Sequence, residues 1–280
     1  MATRGEAETG RTADPAKQGN AQLLFLIKLK PEIIIVLAVD FHSHSLFSKC
    51  GLHTIVEMLT EAKARGLAAL AITDHGPKLE GGPPTTFWDR LHNPVDGIRL
   101  LKGLECNIVS DDGNIDFPQQ MLNYADIILL GLHPHLPAGK PPEHNTALLV
   151  RALVKNPFVD IVTHPEDLQY PVDFKTLAEF ARERGIALEC NNSKVLNNRV
   201  PPERMKEFLD ACKSAGCRIA VNSDAHALGE VGLDESVRPL LQKVGFPPSL
   251  IVNETAESAF AFVEERRKVK QDFLGSKQVV

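Results

Sequence analysis

The stretch IIIVLAVDFHSH, residues 33–44, decides the fold because an apolar run ends there in a carboxylate and two histidines. Its composition predicts a buried strand, Ile33–Val39, followed by Asp40, His42 and His44. Five later apolar runs end similarly: Ala68–Ile72 before Asp74 and His75, Leu100–Leu104 before Glu105, Ile127–Leu132 before His133, Val159–Val162 before His164, and Ile219–Val221 before Asp224 and His226. Parallel α/β folds gather the carboxyl ends of their strands at one face, so these runs predict one shared cluster of metal-ligating side chains.

Amphipathic stretches separate the apolar runs, and this alternation predicts an α/β fold with a parallel sheet or barrel. The first predicted helix starts at Thr54, which forms a capping box with Glu57, and it stops at Gly66. The Asp-Asp-Gly sequence at 111–113 predicts a hairpin turn, and Gly76–Pro94 predicts a loop over the strand ends. The later predicted helices are Asn145–Lys155, Phe174–Arg184, Pro202–Ala215, Ser236–Val244 and Ala256–Lys270.

Composition and charge indicate the extent of the folded domain and argue against several classes of protein. Residues 1–30 are predicted to form a disordered or loosely attached extension, and the folded domain is predicted to span residues 33–272. The net charge of −5 argues against a protein that binds nucleic acid through a basic surface. Charged residues interrupt the apolar stretch Leu23–Val39, so no membrane span is predicted. The polar lead Met1–Asn20 is too long and too mixed in charge for a signal peptide. The five cysteines form no Cys-x-x-Cys pair, which favours a reduced, cytoplasmic setting.

The spacing of the histidines suits metal binding. His42 and His44 are two positions apart, so both imidazoles point to the same side of an extended backbone. Asp224 and His226 share a side for the same reason. An isolated His-x-His is more often a pair of surface histidines than a site. The five other strand ends favour the metal site here.

The remaining donors decide how many ions the cluster could hold. Asp74 either orients His75 or caps the following segment, and His75 is interpreted as a ligand. Glu105 ends an apolar run, where a buried carboxylate needs a cation or a hydrogen-bond partner, and its two oxygens can bridge two ions. His133 and His164 bring the set to eight donors. A catalytic zinc ion takes about three protein ligands, so this set suits two or three ions.

The strand-end motifs resemble those of the PHP (polymerase and histidinol phosphatase) family, and most closely its stand-alone bacterial phosphatases of the YcdX type. The resemblance extends over about four-fifths of the chain, and its motifs are specific in combination. The matching motifs are Asp40-Phe41-His42-Ser43-His44, Thr73-Asp74-His75-Gly76, Gly103-Leu104-Glu105-Cys106-Asn107, Thr163-His164-Pro165 and Ser223-Asp224-Ala225-His226.

That resemblance implies a distorted (β/α)7 TIM-like barrel of the PHP type with up to three divalent ions, usually zinc, with Mn²⁺ or Fe²⁺ as alternatives. In this chain Cys50 occupies a ligand position that is normally histidine. A thiolate also binds zinc, so a mixed third site is expected; His53 as a substitute ligand, an empty site and an inert thiol are the alternatives. The implied sites are His42, His44, Glu105 and Asp224; Glu105, His133 and His164; and His75, His226 and Cys50.

The implied activity is the hydrolysis of small phosphate monoesters. Glu105 and Asp224 act at the metal centre, and Arg199 is expected to clamp the phosphate with its planar guanidinium. His135 or Lys140 is the candidate proton donor to the leaving group. The alternatives are a histidinol-phosphate phosphatase, a nuclease of the same family, and a non-catalytic module stabilised by metal. A homo-oligomer is left open by the sequence.

Overall fold

Seven parallel strands follow one another in chain order, and each is hydrogen-bonded to the next. The computed structural model describes residues 37–95 and 97–277. Every predicted apolar run contains one strand, although Ile33–Val39 lies partly outside the described residues. The strands are β1 Val39–Asp40, β2 Ala69–Ile72, β3 Arg99–Asn107, β4 Ile127–Gly131, β5 Ile161–Val162, β6 Ala187–Asn191 and β7 Ile219–Asn222.

Helices alternate with the strands as predicted. The capping box of the first helix is confirmed: the Thr54 hydroxyl accepts from the Glu57 amide at 3.3 Å, and the Glu57 carboxylate accepts from the Thr54 amide at 2.8 Å. Gly66 follows this helix with φ +86°, a conformation that favours glycine. The helices are α1 Ile55–Ala64, α2 Thr85–Arg90, α3 Pro142–Lys155, α4 Phe174–Arg184, α5 Asn192–Leu196, α6 Pro202–Ala215, α7 Arg238–Val244 and α8 Ala256–Lys277.

Side-chain amides join the two edge strands of the sheet. Asn253 donates to the backbone oxygens of Val39 in β1 and Val221 in β7, at 2.9 and 2.6 Å. The Asn222 side chain accepts from the Phe41 amide at 3.2 Å. Together with the chain-order sheet, these bonds nearly close the barrel and confirm the predicted distorted (β/α)7 TIM-like architecture.

Helix α8 covers the end of the barrel opposite the strand carboxyl ends. Ala259 and Phe262 of α8 pack in one buried cluster with interior barrel residues such as Val39 and Leu129. The predicted end of this helix at Lys270 was wrong, because α8 continues to Lys277. Lys270 is 2% exposed and lies within the helix.

The connections also differ in detail from the prediction. The hairpin turn at 111–113 is confirmed by a bond from the Val109 amide to the Asn114 oxygen at 2.8 Å. The predicted loop Gly76–Pro94 contains α2 and a buried Trp88. The predicted extension, residues 1–30, lies outside the described residues. In the described part of the chain, no helix is long and apolar enough to cross a membrane.

Candidate metal centre

All the strand-end donors predicted from the sequence point to one region at the carboxyl ends of the strands. Glu105 lies inside β3, which extends to Asn107, and not beyond the end of its strand. The other donors follow their strands directly: His42 and His44 after β1, His75 after β2, His133 after β4, His164 after β5, and Asp224 and His226 after β7.

Glu105 lies at the centre of this region. Its Oε1 atom is 3.1 Å from Nε2 of His133 and 3.0 Å from Nε2 of His164. Its Oε2 atom is 2.8 Å from Nδ1 of His75. The carboxylate is 1% exposed, so its charge is compensated by these neighbours and not by water.

Asp224 and the His-x-His pair form the adjoining part of the cluster. Nε2 of His42 is 3.5 Å from both Glu105 Oε1 and Asp224 Oδ1. Nε2 of His44 is 3.2 Å from Asp224 Oδ1 and 3.0 Å from Nε2 of His42. Both imidazoles are fully buried.

Hydrogen bonds fix the orientation of these two imidazoles. Nδ1 of His42 lies 2.7 Å from the Glu189 carboxylate, and Nδ1 of His44 lies 2.9 Å from the Ser48 hydroxyl. The Ser48 hydroxyl donates its only proton to Asp74, so it accepts from His44. In the neutral tautomers that result, the lone pairs of both Nε2 atoms face each other. Such an arrangement needs a cation, and the donor set therefore fits a metal ion.

The pKa values of the cluster agree with this conclusion. Burial raises the pKa of Glu105, but the surrounding imidazoles, first of all His133, hold it well below its usual range. Burial likewise opposes the charge of Asp224, but the neighbouring His42 and His44 keep its pKa well below normal. Burial lowers the pKa of His42, whereas the charges of Glu189 and Asp224 raise it well above normal. The surrounding carboxylates thus favour a positive charge at this position.

Cys50 lies with the donors at the outer side of the cluster. The ligand atoms of Cys50, His44, His75 and His226 all lie within 4.8 Å of one another. Burial raises the pKa of the Cys50 thiol, but hydrogen bonds with His226 and His75 outweigh this effect and lower it to about 6. The structure therefore brings Cys50 together with His75 and His226, and its role as a metal ligand stays a prediction. Among the described residues, His53 is not part of this group.

Two of the donors have unusual backbone conformations. His164 has φ +33° and Asp224 has φ +55°, in the left-handed region that residues other than glycine rarely adopt. Such a conformation costs roughly 1–3 kcal/mol and persists where surrounding contacts impose it. In His164 the backbone amide is held by the Glu189 carboxylate at 2.9 Å. The strained backbone of these two residues thus coincides with the donor cluster.

A cavity of about 280 Å³ opens onto the donors. Its lining includes two basic residues, Lys194 and Arg199, together with Asp167, which lies 3.3 Å from the Arg199 guanidinium. His135 and Lys140 are absent from the described residues that line it. The Nε2 atom of His135 instead bonds the Ile108 oxygen at 2.7 Å. Its role as a proton donor stays a prediction.

The sequence interpretation missed Glu189. Its carboxylate is fully buried and contacts His42, the His164 amide and the side-chain amide of Asn222. A signal was present, because Leu-Glu-Cys-Asn occurs twice, at 104–107 around Glu105 and at 188–191 around Glu189. Both glutamates lie within barrel strands, so the repeat marks two buried carboxylates of the same cluster.

Comparisons with known proteins agree with this geometry. Residues 40–227 match the PHP domain. The chain belongs to the PHP family. It is 35% identical over 246 residues to a "probable phosphatase" of Caldanaerobacter subterraneus subsp. tengcongensis, covering 86% of this chain and 96% of that protein. It is 34% identical to "probable phosphatase YcdX" of Escherichia coli O81, covering 81% of this chain and 94% of that protein.

A solved structure with the same fold supports the architecture of this PHP domain. The histidinol phosphate phosphatase of Lactococcus lactis, in complex with zinc, L-histidinol and phosphate, superposes with a TM-score of 0.56. The alignment covers 75% of this chain and 94% of that chain at 18% sequence identity. At this identity the likeness concerns the fold.

Proposed function

We propose that this PHP protein is a metal-dependent phosphatase that hydrolyses small phosphate monoesters at a trinuclear, zinc-containing centre. The observation that carries the proposal is the convergence on Glu105 of imidazoles from four different strand ends, beside a cavity with two basic side chains. The names of the relatives, all "probable phosphatase", support the same reaction class.

The donors divide into three groups that would each hold one ion. Bound divalent ions would supply an activated water molecule and neutralise charge on the phosphate oxygens. Zn²⁺ suits this mixture of imidazole, carboxylate and thiolate, and Mn²⁺ or Fe²⁺ are the alternatives. The proposed groups are His42, His44, Glu105 and Asp224; Glu105, His133 and His164; and His75, His226 and Cys50.

The chain's own residues would position the substrate. Glu189 and Ser48 hold His42 and His44 with their Nε2 atoms toward the cluster, so the site is organised before substrate binds. Arg199, at the cavity wall, presents a guanidinium that matches the geometry of phosphate oxygens. The cavity of about 280 Å³ suits a small phosphorylated molecule better than a polymer.

The experiment is hydrolysis of p-nitrophenyl phosphate and of a panel of natural phosphate monoesters. Purified protein is stripped with chelator and reloaded with Zn²⁺ or Mn²⁺, and metal content is measured on the same samples. We expect activity only in the reloaded protein. The panel includes histidinol phosphate and short oligonucleotides, so the histidinol phosphatase and nuclease alternatives are measured directly. A folded, metal-loaded protein that hydrolyses no phosphate ester would refute the proposal.

A further inference from the structure

No residue in the described part of the chain accepts a hydrogen bond from the ammonium group of Lys194. Its side chain is 12% exposed, lies on α5 and lines the cavity beside the donor cluster. Nζ is 3.7 Å from Asp224 Oδ2 and 3.8 Å from Asp167 Oδ2, beyond hydrogen-bond distance. No other described residue provides an acceptor for Nζ. A mostly buried ammonium group that lines the cavity and makes no hydrogen bond to the described protein residues suits an anionic ligand.

The two neighbouring carboxylates already have other donors. Asp224 Oδ2 accepts from the Asn191 side-chain amide at 3.1 Å, and Asp167 Oδ2 accepts from Arg199 at 3.3 Å. Lys194 lies between these two carboxylates, and none of its three N–H donors makes a hydrogen bond to them. The ammonium is therefore attracted by the charges of the two carboxylates, and its N–H groups remain available to a ligand in the cavity.

Lys194 is also placed deeper than Arg199. The Arg199 side chain is 52% exposed, and Asp167 occupies its guanidinium. The Lys194 ammonium, in contrast, lies beside Asp224, which is a proposed metal ligand. An anion bound at the donor cluster would thus meet Lys194 before Arg199.

We infer that Lys194 donates hydrogen bonds to the phosphate oxygens of the substrate and is the main phosphate-binding side chain of the chain. Arg199, which is more exposed, then contributes less than Lys194 to phosphate binding. This inference rests on the proposed function for the identity of the anion. It assigns a residue that the motif comparison alone does not indicate, because Lys194 lies outside every matching strand-end motif.

The test is binding of inorganic phosphate to the zinc-loaded protein, measured by isothermal titration calorimetry. Lys194→Met is compared with the wild type, with Lys194→Arg, and with Lys175→Met on the exposed face of α4. We expect roughly a 10- to 100-fold loss of phosphate affinity in Lys194→Met, from loss of a charge-assisted hydrogen bond. Lys194→Arg should recover part of it, and Lys175→Met should bind like the wild type. Metal content should be equal in all four proteins.

Two results would overturn the inference. One is equal phosphate affinity in Lys194→Met and the wild type, which includes the case in which neither binds phosphate. The other is a loss of zinc in Lys194→Met that accounts for its weaker binding, which would make Lys194 a structural partner of Asp224. Since phosphate binding is measured without turnover, a wild type that binds phosphate but hydrolyses no ester refutes only the proposed function.

Discussion

The two ends of the barrel both bury charged side chains, but they satisfy them differently. At the end covered by α8, the Asp160 carboxylate lies 2.9 Å from Nε of Arg266 and 2.6 Å from Nζ of Lys270. The Arg266 guanidinium also donates to the backbone oxygens of Pro157 and Val159. Each charge therefore has an opposite partner and directed hydrogen bonds within the protein.

At the opposite end, the metal-ligating side chains converge but do not satisfy one another's hydrogen-bonding groups. Nε2 of His42 and Nε2 of His44 face each other at 3.0 Å. Each imidazole is held through its Nδ1 atom, by Glu189 and by Ser48 respectively. The carboxylates of Glu105 and Asp224 face the same space. Burial of charge alone therefore does not mark a functional site. Asp160, Arg266 and Lys270 satisfy one another and stabilise the fold, whereas the donors at the strand ends suit a bound metal ion.

The largest expected effect comes from the centre of the donor cluster. Glu105→Gln removes the carboxylate that two of the three proposed donor groups share, so we expect loss of bound metal and a fall in phosphatase activity of roughly a thousandfold or more. Metal content and turnover of p-nitrophenyl phosphate are measured together. Glu183→Gln, on the exposed side of α4, is the matched control. Retention of both metal and activity in Glu105→Gln would remove Glu105 from this role.

At the other end of the barrel, the expected effect is on stability. Asp160→Asn leaves Arg266 and Lys270 buried without a compensating charge, which we expect to lower the free energy of unfolding by roughly 3–5 kcal/mol. Asp210→Asn breaks the exposed pair with Lys206 and should cost less than about 1 kcal/mol. Urea unfolding measures both. Zinc content per folded chain should not change; a loss of zinc in Asp160→Asn would show that the two ends are not independent.

A smaller effect is expected at Glu189, which contacts His42 and not the cation site directly. Glu189→Gln replaces an acceptor of several hydrogen bonds by a group that must also donate, so His42 loses its fixed orientation. We expect zinc affinity to fall by about 10- to 100-fold, measured by competition with a chromophoric chelator. Glu179→Gln on the exposed face of α4 controls for the change of charge. An unchanged affinity would mean that Glu189 has only a packing role.

The smallest effect is expected at Cys50, on the outer side of the cluster. Cys50→Ser should lower zinc binding to about two ions per chain, while Cys50→His should keep the third, because imidazole and thiolate are both zinc ligands. In the cobalt-substituted protein, the thiolate-to-metal charge-transfer band should be present in the wild type and absent from both variants. A wild type without this band would show that Cys50 is not a ligand.

Much of the fold and part of the site could be predicted from local pattern. Apolar runs followed by histidines identified the strand ends, since parallel strands bring such residues together whatever their separation in sequence. Cys50 was identified only through the family resemblance, because a single cysteine in a loop has no distinguishing pattern.

The missed features depend on tertiary contacts. Glu189 sits in an apolar run that was not interpreted as a metal-site strand, and its bond to His42 appears only when β6 and β1 meet at the cluster. The end of α8 was predicted at Lys270, and no sequence pattern reveals that this lysine is buried against Asp160.

The most direct test is the number and position of metal ions in crystals of the zinc-loaded protein, measured by anomalous scattering at the zinc edge. We predict about three peaks between the strand ends, with one within bonding distance of Glu105 and the Nε2 atoms of His42 and His44. A well-ordered structure with no anomalous peak within reach of Glu105, at saturating zinc, would contradict the account.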